Sequence, residues 1–212
     1  MNQIKVEKFY NLFANEYAKL FFNELDQKPF DRDFLKRFAG LIEPNGKVCD
    51  IGCGPGEVAR YLKDQGIDVF GVDLSDEMIQ EAKKLNPDIS FQRGNMMALH
   101  LKDNELSGIS AAYAIVNLTQ SEIIAAIKEF NRVLNVNGFL LVSFHIGNND
   151  VLPVEKGDGD DQVSIDYVFH DFDEILKLIK EVGFDIVEAI IRYPYENVEY
   201  PSKRGYIIAK KV

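Results

Sequence analysis

Three glycines at positions 52, 54 and 56, with Asp50 just ahead of them and Asp73 on the next apolar run, are the residues here whose types and spacing point to chemistry. They belong to the stretch VCDIGCGPGEVARYL, from Val48 to Leu62. Val48, Cys49 and Ile51 are small or β-branched apolar residues, the composition of a buried parallel strand. The glycines let a turn reach backbone angles that a Cβ forbids, and let a ligand lie against bare main chain. From Glu57 onward Val58, Ala59 and Leu62 return at helical spacing. A helix starting there turns its unpaired amides and positive dipole end toward whatever occupies the turn. Strand, glycine turn and helix together make a cradle for a nucleotide-like ligand.

The spacing is G-x-G-x-G. The dinucleotide fingerprint G-x-G-x-x-G needs a third glycine where this chain has Glu57, and an acidic side chain is a poor neighbour for a pyrophosphate. That argues against a nicotinamide oxidoreductase. Asp73 ends the run IDVFGVDLS, where a carboxylate can accept hydrogen bonds from both vicinal hydroxyls of a ribose. The alternative role for Asp73, capping the next helix, is weakened because Ser75 already precedes DEMIQEAKK as a cap.

With Asp50, the three glycines and Asp73 in this order, the stretch resembles motif I and its successor in class I S-adenosylmethionine-dependent methyltransferases. The resemblance runs over almost the whole chain. It is strongest from Val48 to Asp73 and extends to the final YPSKRGYIIA, seen in small bacterial methyltransferase-domain proteins. It implies S-adenosylmethionine as cofactor, S-adenosylhomocysteine as its product, and in-line transfer of a methyl group to a small-molecule acceptor. The cofactor-binding residues it implies are Asp50, Gly52, Cys53, Gly54 and Gly56 around the turn, then Asp73, Leu74 and Met78. Asn95, Met96, Tyr113 and Tyr17 complete the set. Relatives place an acid where Asn95 stands, to accept from the adenine amino group; Asn95 can accept through its side-chain oxygen, as a neutral partner. Met96 would pack on the adenine face.

The segment YNLFANEYA, with Tyr10 and Tyr17, resembles the Y-D-x-x-A-x-x-Y helix that caps the pocket in small-molecule methyltransferases, where a tyrosine reaches the cofactor. The Tyr-Ser-x-x-His pattern of close relatives becomes Tyr113, Ala114 and Asn117, so the tyrosine carries over while the serine and the histidine do not. No catalytic residue is assigned. His145 and Tyr113 are candidates for a general base, needed only if the acceptor must lose a proton early. A protein that binds the cofactor without transferring its methyl group, as a regulator or sensor, is the competing reading.

These residues need a scaffold, and the rest of the sequence supplies its signals. Val6 to Leu25 reads as an amphipathic helix, and a second helix is expected to start at Asp31 as N-cap. Strands are expected at Asp68–Val72, Ile89–Gln92, Leu106–Ile115 and Gly138–Ile146. Thr119–Gln120–Ser121–Glu122 is a capping box for a helix through Leu134. NNDVLPVEKGDGDDQ reads as a mobile loop; it lacks EF-hand ligand spacing, and no metal is expected. Val163–Phe169 alternates as an extra strand, and Asp171 caps the helix after it. Phe184–Tyr193 and Arg204–Lys211 are joined by a loop alone and must pair antiparallel. In that loop Tyr195, Glu199 and Tyr200 are placed to fringe an acceptor site.

The fold expected is a Rossmann-like, doubly wound, seven-stranded α/β sheet, mostly parallel with an antiparallel C-terminal hairpin. Helices cover both faces. One domain over 1–212 is expected: a helical cap over 1–44, a cofactor-binding core over 45–147, and an acceptor-side region over 148–212.

The 212 residues carry a formal net charge of -10. Nucleic acid is therefore an unsuitable partner, because binding it needs a basic face and the Lys and Arg are scattered. No apolar run approaches membrane-spanning length, and MNQIKVEKFYNLFANEY lacks the apolar core of a secretory leader. Cys49 and Cys53 sit in a buried strand and in the turn, which suits a reducing cytoplasm better than a disulfide. A monomer or homodimer is expected.

Overall fold

The computed structural model describes residues 3–159 and 162–212. The chain opens with helix α1 (Gln3–Phe21) and a short 3-10 turn, followed by α2 (Pro29–Leu41). The core then alternates strand and helix: β1 (Lys47–Ile51), α3 (Glu57–Asp64), β2 (Asp68–Asp73), α4 (Asp76–Leu85) and β3 (Ser90–Arg93). It continues through β4 (Leu106–Ala112), α5 (Gln120–Val133) and β5 (Leu134–Ile146). A hairpin of β6 (Asp150–Lys156) and β7 (Val163–Phe169), helix α6 (Phe172–Glu181), β8 (Phe184–Arg192) and β9 (Lys203–Lys211) complete it.

The main sheet has seven strands in the order β3-β2-β1-β4-β5-β9-β8. The first five are parallel, and β9 joins β5 and β8 antiparallel, as the loop-only connection requires. Strand order reverses between β1 and β4, so a crevice opens outside the carboxyl ends of those strands. Both faces are covered. Phe130, Ile127, Leu178 and Ile179 from α5 and α6 fill one side, and Phe34, Phe38, Leu62 and Ile79 from α2, α3 and α4 the other. A third cluster, Phe9 and Phe13 against Val163 and Ile165, seats α1 on the β6–β7 hairpin above the crevice.

Several boundaries differ from the sequence expectation for identifiable reasons. Helix α1 stops at Phe21, and Glu24–Gln27 forms the 3-10 turn. Helix α2 begins two residues before Asp31, with Pro29 in its first turn, where a missing amide hydrogen costs nothing. Asp31 is instead a buried partner of Arg192 and Tyr206. Strand β4 ends at Ala112, because Tyr113 turns into the left-handed region at φ 54°. The loop expected after Ile146 holds strand β6, paired along its length with β7. Its acidic pair Asp160–Asp161 lies outside the described residues. The caps at Ser75, Thr119 and Asp171 form as expected, Thr119 and Glu122 making both halves of a capping box.

Candidate active site

One cavity of about 610 Å³ opens at the carboxyl ends of β1, β2, β4 and β5, roofed by α1 and the β6–β7 hairpin. That volume falls within the roughly 300–1,000 Å³ of small-molecule sites. Tyr17, Gly52, Gly54, Asp73, Leu74, Met78, Asn95, Met96 and Tyr113 all line it. Asp50, Cys53 and Gly56 do not line it; they stand behind the turn and shape it.

The turn is built on backbone that side chains would block. Gly52 sits at φ 63°, and a Cβ there would lie 2.8 Å from the Cβ of Ala114. Gly54, at φ 49°, presents bare main chain to the cavity, and its amide donates to Asp73 Oδ2 at 2.9 Å. The Ser75 amide donates to Asp73 Oδ1 at 2.8 Å. Burial pushes the Asp73 carboxyl up, and these backbone donors pull it back. Asp73 is thus fixed by the turn it faces, with further lone pairs left for a ligand. Behind it Asp50 is 2% exposed, and burial pushes its carboxyl up to about 7. Cys53 is likewise buried, its thiol pushed up by burial and by nearby carboxylates.

Asn95 is engaged on both sides. Its oxygen accepts from the Met97 amide at 2.9 Å, and its amide donates to Gln3 of α1 at 3.0 Å. Tyr17 reaches over Gly54 from α1. Tyr10 donates to Asn117 Oδ1 at 2.7 Å, and Asn117 donates onward to the Asp166 carbonyl at 2.9 Å, tying α1 to β7. Asn117 therefore clamps the roof where relatives are expected to carry a histidine.

Beyond Tyr113 the cavity has a second end, walled by Phe169, Tyr200, Tyr206 and His145 and edged by Lys28, Glu199 and Arg204. A directional hydrogen-bond chain runs through its wall. Tyr206 has one hydroxyl hydrogen and gives it to Asp31 Oδ1 at 2.8 Å, while Arg192 donates to the Tyr206 oxygen at 2.6 Å. The 3.1 Å contact between the Tyr113 and Tyr206 hydroxyls is then made with the hydrogen of Tyr113. Tyr113 is left as an acceptor toward the cavity. His145, at the end of β5, is held by Ser202 Oγ at 2.8 Å from Nδ1. Burial, with Arg204 and Lys28 nearby, pushes His145 down to about 4, so it is neutral near pH 7. Glu199 is fixed by Arg192 at 2.7 Å, and its carboxyl is driven down to about 2.

Glu199 and Tyr200 do reach the cavity edge, as the sequence suggested. Tyr195 packs outside it, its hydroxyl accepting from the Phe30 amide at 3.0 Å. Lys28, Glu24 and Arg204 escaped notice in the sequence as site residues, and Asp31 reads there only as a helix cap. Nothing local marks them: they are ordinary surface-type residues until β9 and the cap fold over them.

Residues 48–138 match the family model described as a methyltransferase domain. That stretch holds the glycine turn and Asp73, and over it the chain is similar to the class I S-adenosylmethionine-dependent methyltransferases. It is similar to a Bacillus subtilis (strain 168) protein named "Putative methyltransferase YqeM", 26% identical over 82% of this chain and 72% of the relative. It also resembles a demethylmenaquinone methyltransferase from Beutenbergia cavernae, 30% identical over 47% of this chain and 41% of the relative. The match to that protein thus spans less than half its length. Among solved structures, a SAM-dependent methyltransferase from Methanosarcina mazei shares the fold, with a TM-score of 0.71 and 18% identity over 82% of this chain and 95% of that one. The cofactor of the family is S-adenosylmethionine, and the chemistry of the cavity fits it: bare glycine main chain, a fixed carboxylate at the end of β2, and apolar Met78 and Met96 beside it. Among the described residues no cluster could hold a metal ion, and no helix is long and apolar enough to cross a membrane.

Proposed function

We propose that this methyltransferase modifies a small organic acceptor carrying a hydrogen-bond donor, bound in the cavity end beyond Tyr113. The observation that carries the reading is the one-way chain from Tyr113 through Tyr206 to Asp31, which leaves the Tyr113 oxygen as an acceptor on the cavity wall. In this reading Asp73 binds the ribose hydroxyls. Gly52 and Gly54 allow the cofactor to lie on main chain, and Met78, Asn95 and Met96 surround the adenine. When bound, the cofactor supplies a methyl group on a sulfonium, already a good leaving group. The protein's task is then alignment, an effect that can supply roughly 7–11 kcal/mol. Tyr113 accepts the donor hydrogen of the acceptor and so turns that group's lone pair toward the cofactor end. His145, neutral and pinned by Ser202, offers a second hydrogen-bond position. A group with so low a pKa is a weak base, so an acceptor with an acidic proton, such as a phenol or hydroquinone, suits the site. The aromatic walls and the name of the quinone-modifying relative support the same class.

The test is incubation with S-adenosylmethionine labelled in its methyl group and a panel of phenols, hydroquinones, amines and carboxylates, followed by mass spectrometry. Label on hydroxyaromatic members, lost in Tyr113→Phe with S-adenosylhomocysteine affinity retained, is expected. Label only on carboxylates would overturn the acceptor assignment. Tight cofactor binding with no transfer to any member would favour the reading as a binding protein.

A further inference from the structure

We propose that Glu57, at the start of α3, receives the ammonium group at the amino-acid end of the cofactor. The proposal rests on the placement of the cofactor along the glycine turn and Asp73. With the ribose at Asp73, the path past Gly52 and Gly54 leads to the corner where α3 begins. There Glu57 lines the cavity, and its Oε2 is buried with no hydrogen-bond partner among the described residues. A Cβ built on Gly54 would stand 3.9 Å from Glu57 Oε2 and 3.7 Å from Tyr17 Cε1. Carboxylate and ring therefore flank the same strip of main chain. A cation between them gains an ion pair and the face of an aromatic ring.

An orphaned buried carboxylate oxygen is costly, and native structures keep one only where something completes it. The helix start alone would favour an anion. Glu57 reverses that preference locally, which is why this turn suits a zwitterionic amino acid and not a pyrophosphate. The charged groups around it are Glu24 from the 3-10 turn, Asp50 from β1 and Lys28 ahead of α2, with Tyr17 of α1 also facing it. Asp73 of β2 faces the same Tyr17 ring. Burial foremost, then Glu24, raises the Glu57 carboxyl well above its usual range, and Lys28 opposes this only in part. An arriving ammonium favours the carboxylate, so binding of the cation shifts Glu57 toward release of a proton.

Two probes separate this role from a structural one. S-adenosylhomocysteine carries the ammonium; 5′-methylthioadenosine has the same nucleoside without the amino-acid end. In Glu57→Gln the affinity for the first should fall by about tenfold to a hundredfold, while affinity for the second stays unchanged. The wild-type protein supplies an independent reading. Calorimetry in buffers of different ionisation enthalpy, between about pH 5 and 8, should show a proton released with S-adenosylhomocysteine and none with methylthioadenosine. Equal affinity of wild type and variant for S-adenosylhomocysteine, or equal loss for both probes, overturns the proposal. So does the absence of proton release across the range. If the wild-type protein binds neither probe, the cofactor placement itself fails and this inference with it.

Discussion

Asp73, half-buried, and Asp50, buried, stand beside the same turn, and their surroundings give them opposite parts. Asp73 takes two backbone amides and keeps lone pairs toward the cavity. Removing its side chain would loosen the turn most, so the informative change is Asp73→Asn, which keeps the shape and removes the charge but leaves one of the two backbone amides without an acceptor. S-adenosylhomocysteine binding should weaken by about 1.5–3 kcal/mol, the value of hydrogen bonds to a charged group, with a modest fall in melting temperature from the lost backbone bond. Unchanged affinity by calorimetry would mean that Asp73 serves only the turn. Asp50 has no such partners at Oδ2 and rises to about 7. Its raised value means that the folded state prefers the acid. The penalty for ionising it is absent below the unfolded value near pH 4, grows as pH rises, and is complete above about pH 7. Asp50→Asn should therefore stabilise the protein at pH 8, by an amount on the order of 3–4 kcal/mol, and leave it unchanged at pH 4. Denaturant unfolding at the two pH values checks this; an equal effect at both would sink it.

Roof and floor of the cavity differ in how they are held and in how well the sequence announces them. The floor is strands and glycine turns whose signals are local: Val48–Ile51 reads as a buried strand because Val48, Cys49 and Ile51 are small or β-branched apolar residues on both faces, and Ser75 and Thr119 read as caps from spacing alone. The roof is not local. Strand β6 contains Pro153 and turn formers around it, so it looks like a loop; it becomes a strand because β7 pairs with it and Phe13 and Phe9 cover the pair. Asn117 was legible only as a departure from a family pattern, and its work appears only when Tyr10 and Asp166 are brought to it from far along the chain. Asn117→Ala leaves the Tyr10 hydroxyl and the Asp166 carbonyl without that partner, at a cost of about 1–3 kcal/mol. The loss belongs to the roof. Hydrogen exchange should quicken in α1 and β7 and stay slow in β1, β4 and β5. Uniform quickening across the sheet would show that the roof and sheet open as one unit.

The two ends of the chain meet at a buried set of charges, and this meeting closes the acceptor end of the cavity. Asp31 on α2 pairs with Arg192 on β8 at 3.0 Å. Glu199, in the loop before β9, lies 2.7 Å from the same Arg192, 3.3 Å from Arg204 and 3.8 Å from Lys28. No stretch of sequence displays this set, because its members are separated by most of the chain and each alone resembles a surface charge. An apolar replacement of the whole network could match its stability, but removing one member leaves charges buried without compensation. Glu199 is the centre of the set, its side chain fully buried. Its folded value, about 2, lies below the usual carboxylate range, so its contribution is present above an unfolded value near 4.5 and lost as pH falls through 2. Glu199→Gln should thus destabilise the protein at pH 7 by about 3 kcal/mol, with the gap narrowing as pH drops below 4. Because the same residue fixes Arg204, and Arg204 helps keep His145 neutral, the variant should also let His145 titrate at a different pH. Urea unfolding followed against pH, with the His145 imidazole tracked by nuclear magnetic resonance, reads both effects. A constant gap from pH 7 to 2 would show that Glu199 contributes by packing, and an unmoved His145 would separate the charge network from the cavity it encloses.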